Sequence, residues 1–129
     1  MSGAQVAILS RAEAWRAYER AFHQFSEEVR RLQALTNDPH PDRVAIEAAL
    51  VDVEKSRVLY DCSRDRMARV LLPPSRRAEV PCDDTPEAVN ERVRGIAEIL
   101  WESAGRPEGT AEEDWRMAQQ IIQRAAAAA

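Results

Sequence analysis

Between about Ser10 and Leu35 the large apolar residues Trp15, Tyr18, Phe22, Phe25, Val29 and Leu32 recur at steps of three and four. That spacing lines one side of a helix packed against another helix. The same rhythm returns from Pro41 or Asp42 to Leu72 through Ile46, Leu50, Val53, Arg57, Tyr60, Arg64, Met67 and Leu71, with two arginines set into the apolar stripe. The stretch Thr36-Asn37-Asp38-Pro39-His40-Pro41-Asp42 breaks the pattern with turn-forming residues and two prolines. Two helices of about 40 to 45 Å joined by so short a loop are expected to lie antiparallel. Same-face pairs such as Glu13 with Arg16, and Glu27 with Arg30 and Arg31, add a few tenths of a kcal/mol each. A large buried side chain adds roughly 1.5 to 3 kcal/mol, so the stripe decides the element.

From Pro73 to Asp84 three prolines and no periodicity predict a linker. Thr85-Pro86 then reads as an N-cap followed by proline at the first helical position, with Asp83, Asp84 and Glu87 at the positive end of the dipole. The third helix is expected to bury Val89, Val93, Ile96, Leu100 and Ala104 and to end at Gly105 in the left-handed cap position, with Pro107 preventing its return. Thr110 and Glu113 suggest a capping box that opens a fourth helix with Trp115, Ala118 and Ile122 inward. Trp101 and Trp115 are expected to help hold these last two helices together, with both rings buried. The expected organisation is therefore all-α: a long antiparallel helical hairpin over 1–72, a proline-rich linker over 73–85, and a short acidic helical hairpin over 86–129. The closing run Ala125 to Ala129 carries no pattern of its own.

Leu100-Trp101-Glu102, the turn Gly105-Arg106-Pro107, Gly109 and the step from Trp115 to Ala118 resemble the bacterial domain-of-unknown-function family 2934. The resemblance covers about a quarter of the chain. It implies a two-helix unit closed by that turn, with Trp101, Gly105, Pro107, Gly109 and Trp115 as its structural residues. The family has no activity to lend.

At 129 residues the chain has room for one ordinary domain, or for two small helical units sharing a core. Its aromatic content of 5% and only four glycines suit long helices. The net charge of -4 sits in the C-terminal part: residues 1–72 carry 11 basic and 11 acidic side chains, and the remainder 7 and 11. Such a balance offers phosphate no basic surface. Seventeen arginines against the single lysine Lys55 fit a GC-rich bacterial genome. With no apolar run near eighteen residues and no secretory leader, the expected location is the cytoplasm, with no membrane span and with Cys62 and Cys82 reduced. The two cysteines lack the short spacing of a metal site.

Glu19, His23 and Glu27 project from one helix face, yet bundle metal sites pair Glu-x-x-His motifs on facing helices, and no such motif occurs. Neither a metal nor another cofactor is expected. His40 lies between prolines without a partner for acid–base work, and Ser10, Ser26, Ser56, Ser63, Ser75 and Ser103 lack a nucleophile-elbow context. An enzyme is not expected. The third and fourth helices form a helix-turn-helix in the literal sense, which makes a nucleic-acid-associated regulator the alternative reading. Glu112-Glu113-Asp114 at the N-terminus of its second helix would repel phosphates, although Gln119, Gln120 and Gln123 have the chemistry to read adenine edges. Arg57 and Arg64 should either pair within the hairpin, with Glu19 or Glu28, or mark a partner-facing surface with Trp15, Tyr18, Phe22, Phe25 and Tyr60. The long stripe exceeds what forty C-terminal residues can cover. The expected role is a non-enzymatic protein–protein interaction or assembly module, a small adaptor, regulatory subunit or homo-oligomer.

Overall fold

The computed structural model describes the backbone of residues 3–72 and 85–128 and the side chains of 11–72 and 85–127. Among these residues there are four helices and no strands: α1 (Gly3–Thr36), α2 (Arg43–Leu71), α3 (Pro86–Ser103) and α4 (Ala111–Ala128). The fold is all-α, as the periodicity predicts. Cys82 and, apart from Thr85, the expected linker lie outside the described residues.

α1 extends further toward the N-terminus than the stripe beginning near Ser10 predicts. α2 starts where Asp42, in an extended conformation, accepts hydrogen bonds from the amides of Val44 (3.0 Å) and Ala45 (3.4 Å), the role a capping carboxylate plays. α1 and α2 form the antiparallel hairpin. Exposed ion pairs at two heights mark its stagger, Arg31 to Asp52 at 3.4 Å near the loop and Glu13 to Arg66 at 3.7 Å near the open end.

The buried side of α1 differs from the expected one. Ala14, Ala21 and Leu32 are buried, while Trp15 and Phe22 are 49% and 47% exposed. The inner stripe runs Ala14, Tyr18, Ala21, Phe25, Leu32, because alanines let two long helices approach closely while the largest rings are displaced to the flank. On α2 the buried positions are Ile46, Ala49, Leu50, Glu54 and Ser56, and Leu71 is exposed.

α3 and α4 pack on each other and, together, on the loop-proximal half of α2. One core joins all four helices: Leu32 from α1, Ile46, Ala49 and Leu50 from α2, Val93, Ile96 and Leu100 from α3, and Ala118 and Ile121 from α4. Val89 is only partly buried and Ala104 is exposed. The inward face of α4 is Asp114, Ala118, Ile121 and Ala125, not Trp115, Ala118 and Ile122; Trp115 and Ile122 flank the core. Ala125, from a patternless run, is thus a core residue. Beyond Glu54 the face of α2 that carries this core changes from aliphatic to charged residues.

Thr85 caps α3 by accepting from the Ala88 amide at 3.2 Å. At the other end the Gly105 amide donates to the Glu102 carbonyl and the Arg106 amide to the Trp101 carbonyl. This pair of bonds is the Schellman closure. Gly105 has φ 89° and Arg106 follows at φ 58°, so the left-handed stretch is two residues long; Gly109 adds a third positive φ of 82°. The expected capping box does not form. The Thr110 hydroxyl instead donates to Asp114 at 3.0 Å.

Candidate interaction surface

Tyr60 of α2 is the hub of an aromatic cluster about midway along the hairpin. Its ring stacks on Phe25 at 5.7 Å, meets Tyr18 at 5.6 Å and Phe22 at 6.2 Å, and Tyr18 in turn stacks on Trp15 at 6.0 Å. The hydroxyls of Tyr18 and Tyr60 are 3.3 Å apart. That hydrogen bond, with burial second, holds the Tyr60 phenol above its ordinary pKa. The structure thus brings together all five aromatic residues that the sequence singles out on the hairpin, with Trp15 and Phe22 facing outward. His23 lies against Phe22 and is exposed, as are Glu19 and Glu27.

Arg57 and Arg64 do not meet Glu19 or Glu28; both pair along their own helix. Arg57 donates from Nε and Nη2 to the buried Glu54 at 3.2 Å and from Nη1 to Asp61. Arg64 lies 3.8 Å from Asp61 and 3.5 Å from Asp65. Carboxylates on the same helix, three or four positions away and, for Asp65, next to Arg64, reach these guanidinium groups before Glu19 or Glu28 of α1 does. Glu54 also receives Arg92 of α3 at 3.6 Å, so one carboxylate, 6% exposed, serves both hairpins. No local pattern signals this contact, since Glu54 and Arg92 are far apart in the chain.

Asp114 was also missed. It belongs to the acidic triplet that opens α4, but it turns inward and is 4% exposed, leaving Glu112 and Glu113 outside. Arg43 reaches it at 3.3 Å while donating to Glu47 at 2.9 Å and to the Leu100 carbonyl at 3.4 Å. Desolvation works against the Arg43 charge, but the two carboxylates outweigh it and raise the guanidinium pKa. One side chain of α2 therefore ties the end of α3 to the start of α4.

Trp101 is 37% exposed, not buried as the sequence suggests. Its indole N–H donates to the Pro107 carbonyl at 2.9 Å, and the Arg106 guanidinium lies 5.7 Å from its ring. The tryptophan thus braces the turn from outside. With Ala97, Ala111 and Trp115 it lines a groove of about 220 Å³ to which Arg94, Glu98 and Asp114 also contribute.

The family model described as "Protein of unknown function (DUF2934)" matches residues 89–124, the short hairpin of α3 and α4. No curated protein and no solved structure matches the chain. Cys62 is exposed and free, and no helix among the described residues is long and apolar enough to cross a membrane.

Proposed function

We propose that this chain is a non-enzymatic protein–protein interaction or assembly module whose contact surface is the aromatic flank midway along the long hairpin. The observation that carries the reading is the aromatic cluster at Trp15, Tyr18, Phe22, Phe25 and Tyr60. Two of its rings stand about half exposed on a part of the hairpin that α3 and α4 leave uncovered. Aromatic residues and arginine are enriched where proteins meet, and Arg57 and Arg64 flank this cluster. The short hairpin serves as the structural anchor. A bacterial cytoplasm is the proposed setting, supported by the arginine-rich, lysine-poor composition and the free thiol of Cys62.

The test is a photoactivatable cross-linker introduced at Phe22 and, as a control, at Glu112, with both proteins exposed to extract of the producing cell. A discrete adduct of fixed mass at Phe22 and none at Glu112 supports the reading, whether the captured protein is this chain or another. Equal labelling at both positions, or none, overturns it. Salt-sensitive binding of duplex DNA without such an adduct would transfer the role to the nucleic-acid alternative.

A further inference from the structure

Trp101 from α3 and Trp115 from α4 line one groove of about 220 Å³, together with the small side chains of Ala97 and Ala111. Neither ring is a core residue: Trp101 is exposed and Trp115 half-buried. Three charged residues, Arg94, Glu98 and Asp114, complete the lining. Arg94 is answered by Glu91 at 3.2 Å, and Asp114 by Arg43 and the Thr110 hydroxyl. Glu98 is exposed and, among the described residues, makes no ion pair. The groove therefore offers two indole rings, two small apolar side chains and one carboxylate whose charge is not balanced.

That combination selects a class of ligand. An anion would be repelled by Glu98 and Asp114. A metal ion would have to shed tightly held water against indole rings, which return little of that cost. A quaternary ammonium group carries its charge behind methyl groups, so it packs on apolar walls. It is drawn both to tryptophan, the best aromatic partner for a cation, and to a nearby carboxylate. Trp101 already meets one cation: the Arg106 guanidinium lies 5.7 Å from its ring, and Arg106 does not line the groove. Size narrows the ligand further, because drug-sized molecules occupy pockets of about 300 to 1,000 Å³. A group of a few heavy atoms is what this groove holds.

We infer that the groove between α3 and α4 is a binding site for a small quaternary ammonium compound, its methyl groups against Trp101 and Trp115 and its charge toward Glu98. The site shares no residue with the aromatic flank of the long hairpin, so it stands or falls independently of the interaction role proposed above.

Titration of the full chain with choline, followed through the indole N–H resonances of its three tryptophans, tests this. The Trp101 and Trp115 signals should move together and saturate, while that of Trp15 stays in place. Dimethylbutanol, the isostere of choline with a neutral carbon in place of the charged nitrogen, should bind at least about tenfold more weakly. Trp115→Leu should weaken choline by a similar factor. Because that ring also flanks the core, the exposed Glu98 supplies the second variant: Glu98→Gln should weaken choline about two- to fivefold without changing Tm. Equal affinity for choline and its neutral isostere, indifference to Glu98→Gln, or no saturable shift at Trp101 and Trp115 overturns the inference. A peptide bearing trimethyllysine that binds at least about tenfold more tightly than choline overturns the small molecule as the source of the ammonium group.

Discussion

Truncating Asp114 to alanine tests whether the contact between the two hairpins is energetically specific. The substitution removes a charge-assisted hydrogen bond to Arg43 and the acceptor of the Thr110 hydroxyl. Bonds to charged groups contribute about 1.5 to 3 kcal/mol and neutral ones about 1 kcal/mol. The Arg43 side chain is 40% exposed and keeps Glu47, so solvent screening puts its share at the low end. Together the loss comes to about 2 to 3 kcal/mol. For a chain of this size each kcal/mol moves the melting temperature by roughly 3 to 5 °C, so Tm should fall about 10 °C, read by circular dichroism. A double-mutant cycle with Arg43→Ala isolates the pair and should give a coupling of about 1 to 2 kcal/mol. If the two substitutions are additive to within about 0.5 kcal/mol, Arg43 and Asp114 do not act together and their contact does not tie α3 and α4 to α2.

Three further outcomes are expected. Gly105→Val should destabilise by more than about 1 kcal/mol in urea titration; a Cβ there would meet nothing within 4 Å, so the whole cost comes from the φ of 89°. Trp115→Ala should cost about 2 kcal/mol, below the 3 to 5 kcal/mol typical of a fully buried tryptophan, because the ring flanks the core; a loss above about 4 kcal/mol would contradict that placement. Tyr60 has a raised pKa in the fold, so its contribution is complete below the unfolded value near pH 10 and is lost as pH rises through the folded one. The stability difference between the native chain and Tyr60→Phe should therefore shrink in alkaline solution, and a constant difference up to pH about 12 would show that the phenol is not held by Tyr18.

Helix existence, the caps at Thr85 and Gly105, and the clustering of aromatic residues were all legible, because each depends on neighbours within a turn or two or on a simple period. The inner face of α1 was misplaced by one position, Trp15 for Ala14 and Phe22 for Ala21. Periodicity reports the direction of the largest side chains, while close helix contact selects the smallest. Arg57 and Arg64 found partners nearer than the facing helix, which intrahelical geometry alone would have favoured. By sequence Asp114 is one of three acids that open α4, and its inward role is not legible there because its partner Arg43 stands 71 positions away. Hydrophobicity alone places Trp101 in the interior, whereas its N–H donates to the Pro107 carbonyl at the exposed turn.

The change in α2 from aliphatic to charged residues at Glu54 also limits where the short hairpin can rest. Were α4 to slide one heptad toward the tip, Ala118 and Ile121 would leave Ile46 and Leu50 and settle over Val53 and Arg57, stripping the remaining water from the Arg57–Asp61 pair, whose side chains are 19% and 18% exposed. That desolvation costs several kcal/mol per ion, so the slipped arrangement is closed off. The row of charges acts as an end-stop, giving the short hairpin a single berth on a helix longer than itself. A heptad inserted before Glu54 would move that berth, and one inserted after Arg64 would only lengthen the free arm.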